Sequence, residues 1–471
     1  MVFSSIIFLT VFLPCVGILY YLVPKWMRNA VLLLFSLLFY AWGEPRYLFL
    51  MIGSILIHFM AGLLLERTQS PKRKKAVLVS AILLNLGTLA VFKYERMILN
   101  GIEVLTGQTI SFMALALPIG ISFYTFQAMS YLIDVYRGKT GANHHILSFA
   151  TYIAMFPQLI AGPIVRYETV QKELDDREET WEDLSEGLNR FVVGLGKKVL
   201  LANSFGSLWD EIRLLDGSSL STADAWIGLV AFSLQIYFDF SGYSDMAIGL
   251  GRMFGFHFSE NFQYPYESKS ITEFWRRWHI SLGSWFREYV YIPMGGNRRG
   301  VARQMVNLLA VWMLTGLWHG ASMNFVLWGI YYAFFLILEK VFLGKVLVKI
   351  PKIFSWLYTM FVVVIGWGIF SIVDMKKPLD FFAALFPFLG RVNGVGLIHN
   401  EAVYRAISYS GVWVLGAVSM TSLMHRLMQK SMKRFPYAVK IAQLFGTAAL
   451  LLLCIACIVS DTYNPFLYFR F

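Results

Sequence analysis

Long apolar stretches separated by short polar loops constrain the fold of this chain more than any other feature. Hydrophobic residues fill 57% of the 471 positions and charged residues only 15%, against roughly 45–50% and about 25% in soluble domains. A backbone surrounded by lipid must satisfy its own hydrogen bonds, which leaves helices or closed barrels. The strict alternation of barrel strands is absent, so the sequence predicts an all-α, polytopic integral membrane protein.

The apolar runs indicate how often the chain crosses the membrane. They lie at about 5–23, 30–42, 47–65, 76–92, 112–133, 146–164, 188–204, 225–250, 305–320, 324–342, 354–373, 411–428 and 437–460. Because several are shorter than the ~20 residues of a full crossing, we expect roughly eleven to thirteen transmembrane helices, with re-entrant and interfacial helices among them. No Pro-rich or Ser-rich linker divides the chain, which predicts one integral domain over 1–471 with a short tail at 461–471.

Prolines and glycines interrupt two of these runs, where they are expected to kink helices around a central funnel or tunnel. The residues concerned are Pro118, Gly120, Pro157, Gly162 and Pro163.

A net charge of +12 is compatible with nucleic-acid binding in a soluble protein. In a membrane protein it orients the helices instead, because basic residues accumulate in cytoplasmic loops. The densest basic loop, 67–75, is therefore predicted to be cytoplasmic, and counting crossings from it makes both termini extracytoplasmic. The run at 6–23 lacks the basic start and cleavage site of a signal peptide, so we interpret it as a retained anchor. We expect contact with the lipid bilayer and no nucleic acid, and part of the positive surplus is available to an anionic donor.

His319 is the only residue between Arg303 and Glu339 that carries charge near neutral pH, which makes it a functional candidate at membrane depth. Gly316 and Gly320 flank it and allow backbone or substrate to come close. Apolar surroundings favour a neutral imidazole, and a neutral imidazole can act as a general base. The alternative is a hydrogen-bonded structural histidine.

A helical projection of 274–291 places His279 on an apolar arc with Trp275, opposite Arg276 and Arg277. This pattern predicts one continuous amphipathic helix at the membrane interface. His279 then points into the protein, either as a core histidine or as part of a reaction tunnel. The two arginines suit either the phosphates of a substrate or anionic headgroups.

Asp239 and Asp245 lie in an apolar run and need partners. We favour structural pairing with Arg252 or Arg276 over a catalytic role. The remaining histidines do not have the spacing of metal ligands, so we expect no metal.

Nine segments of the chain together resemble the membrane-bound O-acyltransferase family, in particular its bacterial alginate O-acetyltransferase branch. The resemblance covers most of the chain, and Gly283 departs from it where a serine is expected. The segments are 1–5, 39–46, 117–127, 156–163, 236–245, 261–266, 274–282, 291–298 and 316–320.

This resemblance implies transfer of an acyl group, most simply acetyl from acetyl-CoA or a related thioester, toward an extracytoplasmic polysaccharide such as an alginate-type polymer or a cell-wall glycan. It matches His319 to the family's catalytic histidine and His279 to its second characteristic histidine. Trp278 and Trp318 stand beside them, and Arg276 and Arg277 are the candidate donor-binding residues. It implies no bound cofactor, and an esterase-like extracytoplasmic partner that completes the transfer to sugar.

Two other functions stay open. The first keeps the enzyme class and changes the cargo to D-alanine, moved from a carrier-protein thioester to teichoic acid. The second is a transporter or flippase, since broken helices and polar groups at membrane depth occur there too, although two inverted halves are not visible in the sequence.

The tail at 461–471 is aromatic and contains Pro465, so we expect it to dock on the membrane or in a cavity. One interpretation is an interfacial anchor. The other rests on resemblance, because 466–471 is similar to the C-terminal motif of the small membrane subunit of the D-alanylation system. That resemblance implies that Tyr468 accepts the acyl group after His319 removes its proton, and that Arg470 helps to seat the tail.

Overall fold

The chain folds into helices, as a backbone in lipid requires. The structure is a computed structural model, and it describes residues 1–107, 115–216, 219–386, 396–460, 463 and 466–467. No β-strand occurs among these residues, so the prediction of an all-α membrane protein is confirmed.

The helices of the first half of the chain are α1 (Leu13–Leu22), α2 (Arg28–Gly43), α3 (Leu48–Arg67), α4 (Pro71–Lys93), α5 (Glu95–Thr106), α6 (Ile121–Tyr136), α7 (Ile146–Ala154), α8 (Phe156–Leu159), α9 (Tyr167–Asp175), α10 (Trp181–Gly196), α11 (Asn203–Arg213) and α12 (Thr222–Met253). Those of the second half are α13 (Ile271–Arg277), α14 (Ile280–Phe286), α15 (Val301–His319), α16 (Met323–Leu338), α17 (Gly344–Leu347), α18 (Lys352–Phe370), α19 (Pro378–Leu385), α20 (Asn400–Ser408), α21 (Ser410–Ser419), α22 (Leu423–Arg434) and α23 (Pro436–Ser460).

Within the described ranges, 6 helical segments are long and apolar enough to cross a membrane. They are Lys25–Gly43, Pro45–Arg67, Pro71–Lys93, Met323–Leu347, Lys352–Val373 and Pro436–Ser460. Shorter apolar helices occupy Phe8–Leu22 and Ser410–Ser419. Other apolar runs of the sequence form buried or broken helices, such as 146–164, which is divided between α7 and α8. The larger number of crossings expected from the sequence therefore stays a prediction.

Helices α10 and α12 cross closely because glycines meet at their interface. A Cβ at Gly194 would lie 2.6 Å from the carbonyl oxygen of Gly242, and one at Gly187 would lie 2.6 Å from that of Gly249. Both pairs are spaced by seven residues, which keeps small side chains on one face of each helix. The backbone contact brings the residues after Gly194 directly against the middle of α12.

The continuous amphipathic helix predicted over 274–291 is wrong. The chain forms α13, breaks at Trp278 and His279, and resumes as α14 and a π-helical turn at Arg287–Tyr291. His279 has a φ of 44°, in the left-handed region that non-glycine residues seldom adopt. Hydrophobic periodicity did not reveal this break, because both short helices keep their apolar residues inward. The inward position of His279 is confirmed, since only 2% of the residue is exposed.

Polar contacts join several loops at one end of the helix bundle, which we call the charged end. The pairs are Arg28 with Glu179, the Ala142 N–H with Glu66, Arg252 with Glu186, and Arg166 with Glu288. Helix α4 begins at this end and α15 leaves it, so Lys93 and His319 lie at the opposite end, where Lys93 donates to the carbonyl of Trp318. Helix α23 runs parallel to α10, because Thr447 bonds Asn189 at 2.7 Å and Leu450 approaches Gly196 further along both helices.

The glycine crossing gives a test of the fold. Gly194→Ala should lower the thermal stability of the purified protein in detergent, because the added methyl group pushes two backbones apart at a cost of about 1–3 kcal/mol. Gly87→Ala in α4 is the matched control, since a Cβ there meets nothing within 4 Å and both substitutions gain the same helix propensity. Equal melting temperatures of the two variants would contradict the packing described.

Candidate active site

A small apolar cavity lies among α12, α15, α18 and the C-terminal tail. Its volume is about 30 Å³, which is room for one or two waters. The lining is almost entirely apolar and includes two ionisable side chains, Asp239 and His319. The complete set is Ile236, Asp239, Phe240, Trp278, His319, Trp367, Phe370, Phe466 and Leu467. A cavity of this size and polarity excludes bulk water and accepts a small group.

His319 ends α15, and the carbonyl groups that such a helix end exposes have partners. The Tyr94 hydroxyl donates to the Leu317 carbonyl at 2.5 Å, and the Lys93 ammonium donates to that of Trp318. The two donors therefore hold the last turn of the helix that presents His319.

The imidazole of His319 is held by ring packing. Its centroid lies 5.2 Å from Trp328 and 5.4 Å from Phe370, both edge-on. Within the described part of the chain, no hydrogen bond to its ring nitrogens is found. This environment differs from that of a hydrogen-bonded structural histidine, and the role of His319 as a base stays a prediction.

The glycines beside His319 make room for protein and not for substrate. A Cβ at Gly316 would lie 2.2 Å from the Phe325 carbonyl oxygen, and one at Gly320 would lie 2.2 Å from the Phe325 ring. These contacts draw the start of α16 against the end of α15. The close approach expected from the sequence therefore comes from a neighbouring helix.

Asn261 organises the second histidine. Its side-chain oxygen lies 3.1 Å from His279 Nδ1 and accepts from the Ser281 hydroxyl at 2.9 Å. Its amide donates to the Ser244 hydroxyl at 3.0 Å, so the oxygen faces the imidazole. Because that oxygen can only accept, Nδ1 carries the proton and Nε2 is left as an acceptor. No described residue bonds Nε2, which is buried.

Trp318 contacts both histidines. Its ring centroid lies 6.1 Å from His279 and 5.1 Å from His319. The fold therefore brings the two histidines close together, and of the two His319 lines the cavity whereas His279 does not. Asn261 was missed as a partner, although its position at the start of the 261–266 segment was a usable signal.

The candidate donor-binding residues differ in position. Trp278 lines the cavity, whereas Trp318 is buried behind it. Arg277 bonds Glu273 at 2.7 Å, and Arg276 is exposed. Neither arginine lines the cavity.

Tyr468 and Arg470 lie outside the described residues. The two residues before them, Phe466 and Leu467, are described and line the same cavity as His319. The expectation that the tail docks in a cavity therefore holds for the part of the tail that the structure describes.

The acidic residues of α12 are paired, but the partners expected from the sequence are wrong. Asp239 pairs with Lys198 at 2.7 Å, and Asp245 pairs with Lys197 at 2.6 Å and with Arg190. The expected partner Arg252 instead contacts acidic residues of α10 at the charged end. A signal was present, because Arg190, Lys197 and Lys198 are cations within the apolar run 188–204 and need opposite charges.

Comparison with known proteins gives consistent results. The model of the membrane-bound O-acyltransferase family matches residues 138–374. The chain is 41% identical to a probable alginate O-acetylase AlgI of Pseudomonas aeruginosa, over 88% of this chain and 82% of the relative. It is 39% identical to the protein of that name in Pseudomonas putida over the full length of both. It is also 31% identical to a peptidoglycan O-acetyltransferase of Helicobacter pylori, over 92% of this chain and 86% of that protein.

Proposed function

The chain belongs to the membrane-bound O-acyltransferase family, and we propose that it moves an acetyl group from a cytoplasmic thioester through the membrane for O-acetylation of an extracytoplasmic polysaccharide. One observation carries the mechanism that we propose for this enzyme: His319 lines a small, mostly apolar cavity together with the tail residues that lead to Tyr468. The acceptor is an alginate-type exopolysaccharide or a cell-wall glycan, as the names of the relatives suggest.

The first step transfers the acetyl group to the tail. His319 takes the proton of the Tyr468 hydroxyl, whose unperturbed pKa of about 10 makes such a base necessary. The phenolate oxygen attacks the thioester carbonyl carbon, and a C–O bond forms as the C–S bond breaks. The thiolate leaves and takes the proton from the imidazolium, so the products are an acetyl ester of Tyr468 and a free thiol.

The second step moves the acetyl group to sugar. A hydroxyl of the polysaccharide, held by an esterase-like extracytoplasmic partner, attacks the carbonyl carbon of the Tyr468 acetyl ester. The new C–O bond to sugar forms as the C–O bond to tyrosine breaks, and the proton of the sugar hydroxyl passes to the phenolate, which restores the tyrosine. Splitting the reaction in this way lets the thioester and the polymer stay on opposite sides of the membrane. The small apolar cavity keeps bulk water away from the acetyl group, because water would hydrolyse the ester or the thioester.

His279 acts with His319. Its buried Nε2 is an acceptor without a described partner, so it is available to a donor group of the substrate or to the thiol of the donor. Asn261 holds the imidazole in the tautomer that this role needs. We assign His279 a positioning role for the thioester and leave proton removal to His319.

The donor is acetyl-CoA or a related thioester, bound as a substrate, and no resident cofactor or metal is proposed. Arg276 and Arg277 are proposed to meet its phosphates, while Trp278 and Trp318 exclude water from the acyl group. Arg470 is proposed to seat the tail. Similarity to O-acetylating relatives over most or all of the chain supports acetyl over D-alanyl as the cargo.

We further propose that the enzyme lies in the cell membrane with its charged end in the cytoplasm and both termini outside. The loop at 67–75 belongs to the charged end and carries the densest run of basic residues. The N-terminal end of α1 and the C-terminal end of α23 lie at the opposite side of the bundle. This arrangement directs the His319 end of α15 toward the extracytoplasmic side.

The first prediction concerns the base. His319→Ala should insert and fold but lower polymer acetylation by at least about 100-fold, because a general base contributes that much or more. His425→Ala on the exposed helix α22 is the matched control and should keep wild-type acetylation. His279→Ala should also lower acetylation. Near-normal acetylation by a well-expressed His319→Ala variant would overturn the assignment.

The second prediction concerns the acyl carrier. Tyr468→Phe keeps the ring and removes the hydroxyl, so polymer acetylation should be lost, whereas the exposed control Tyr437→Phe should be unaffected. Intact-protein mass spectrometry of the wild type incubated with donor should detect an acyl adduct that neither Tyr468→Phe nor His319→Ala forms. The mass of that adduct distinguishes acetyl from D-alanyl. Wild-type acetylation by Tyr468→Phe would leave the tail as an anchor only.

The third prediction concerns orientation. In a chain without its native cysteines, Arg73→Cys should resist a membrane-impermeant thiol reagent in intact cells and react after lysis. Ile398→Cys, which is 70% exposed near the opposite end of the bundle, should react in intact cells. Labelling of position 73 in intact cells would reverse the topology.

A further inference from the structure

A buried ion pair joins the two helices that cross at glycines. Lys198 Nζ lies 2.7 Å from Asp239 Oδ1, and the side chains are 4% and 3% exposed. Lys198 belongs to a π-helical segment, Lys197–Ala202, and Asp239 lies within α12. Two charges taken out of water cost free energy unless the geometry is good and the remaining hydrogen-bonding positions are filled.

The C-terminal tail fills one of those positions. The backbone N–H of Leu467 donates to Asp239 Oδ2 at 2.8 Å. The Phe466 ring lies 5.9 Å from Lys198 Nζ and 5.0 Å from the Tyr243 ring. One carboxylate oxygen of Asp239 therefore bonds the lysine and the other bonds the tail. Of the two tail residues, Leu467 contacts Asp239, and Phe466 contacts Lys198 and Tyr243.

Helix α11 holds the same tail further back. The side-chain amide of Asn203 donates to the Tyr463 carbonyl at 3.1 Å, and the Tyr463 hydroxyl donates to Asp210 Oδ2 at 2.6 Å. The described tail residues are thus bonded at both ends of the 463–467 segment. These bonds attach the described tail residues to α11 at Tyr463 and to α12 at Leu467, beside the cavity lined by His319.

We propose that Lys198 and Asp239 form a binding seat for the C-terminal tail and act as positioning residues for the acyl transfer. The seat binds through a charge-assisted hydrogen bond to a backbone N–H, so it recognises the main chain of the tail at Leu467 and not the Leu467 side chain. It fixes the residue that precedes Tyr468 at the cavity wall. The effect of the seat on acyl transfer rests on the proposed function of Tyr468, whereas the docking of the tail does not.

The test measures docking directly, in the full chain with Cys15, Cys454 and Cys457 replaced by alanine. A single thiol is introduced by Leu467→Cys, at a position that is 3% exposed, and its alkylation rate by a maleimide is followed in detergent. Lys198→Leu combined with Asp239→Leu removes both charges and leaves none unpaired. The thiol should then react about tenfold faster, because a hydrogen bond to a charged group is lost.

Two further variants control for folding. Lys197→Leu with Asp245→Leu removes a neighbouring ion pair from the same helices that makes no contact with the described tail residues, and the thiol should react as in the parent. Lys198→Gln with Asp239→Asn keeps shape and hydrogen-bonding atoms without charge, and its rate should be intermediate. If the leucine pair does not yield a folded protein by size-exclusion chromatography, this neutral pair provides the comparison.

Polymer acetylation measured on the same variants separates the two proposals. Faster alkylation with loss of acetylation supports the seat and its role in the reaction. Faster alkylation with wild-type acetylation supports the seat and contradicts Tyr468 as the acyl carrier. An unchanged alkylation rate in a folded seat variant, or an equal rise in the Lys197 and Asp245 control, would overturn the seat.

Discussion

A charge cannot be left alone in an apolar interior, and this constraint shapes the centre of the molecule. Burying an ion without a partner costs far more than any single contact returns. Lys198 and Asp239 meet within a bundle that is otherwise mostly apolar, and the close crossing of α10 with α12 makes their distance possible. The remaining carboxylate oxygen has to be satisfied as well, and the tail satisfies it. The position of the tail at the cavity is therefore linked to the electrostatics of the core.

The two histidines meet this constraint in different ways. His279 packs against aromatic rings and has a polar partner, Asn261, that bonds one nitrogen and fixes its tautomer, at the cost of a strained backbone. His319 has packed rings around it and a helix end held from outside by Lys93 and Tyr94. The first arrangement fixes orientation through hydrogen bonds, and the second leaves the ring nitrogens of His319 without a hydrogen bond to any described residue. Their joint contact with Trp318 brings the two histidines close together, and His319 is the one that lines the cavity.

The features that were predicted from the sequence depend on composition or on a single ionisable residue in an apolar run. The all-α membrane fold follows from the apolar runs, and His319 follows from its isolation among them. Features that depend on local backbone geometry or on contacts between distant segments were missed. The break at His279 leaves the apolar periodicity intact, so a helical projection does not detect it. The partner of Asp239 lies 41 positions earlier in the chain, by subtraction of 198 from 239, and the tail contacts it through a backbone N–H that every residue except proline carries.

The π-helical segment at Lys197–Ala202 has a consequence for the way this chain tolerates change. A π-helical turn closes over five residues where an α-helical turn closes over four, so it accommodates one additional residue and lets two successive lysines face the same neighbouring helix. Exchanging one side chain there alters one contact. Deleting a residue would remove the additional one and return the segment to an α-helix, in which α10 and α11 keep their relative orientation but two successive side chains lie about 100° apart. The presence of two neighbouring ion pairs with α12 is therefore a consequence of the length of this segment.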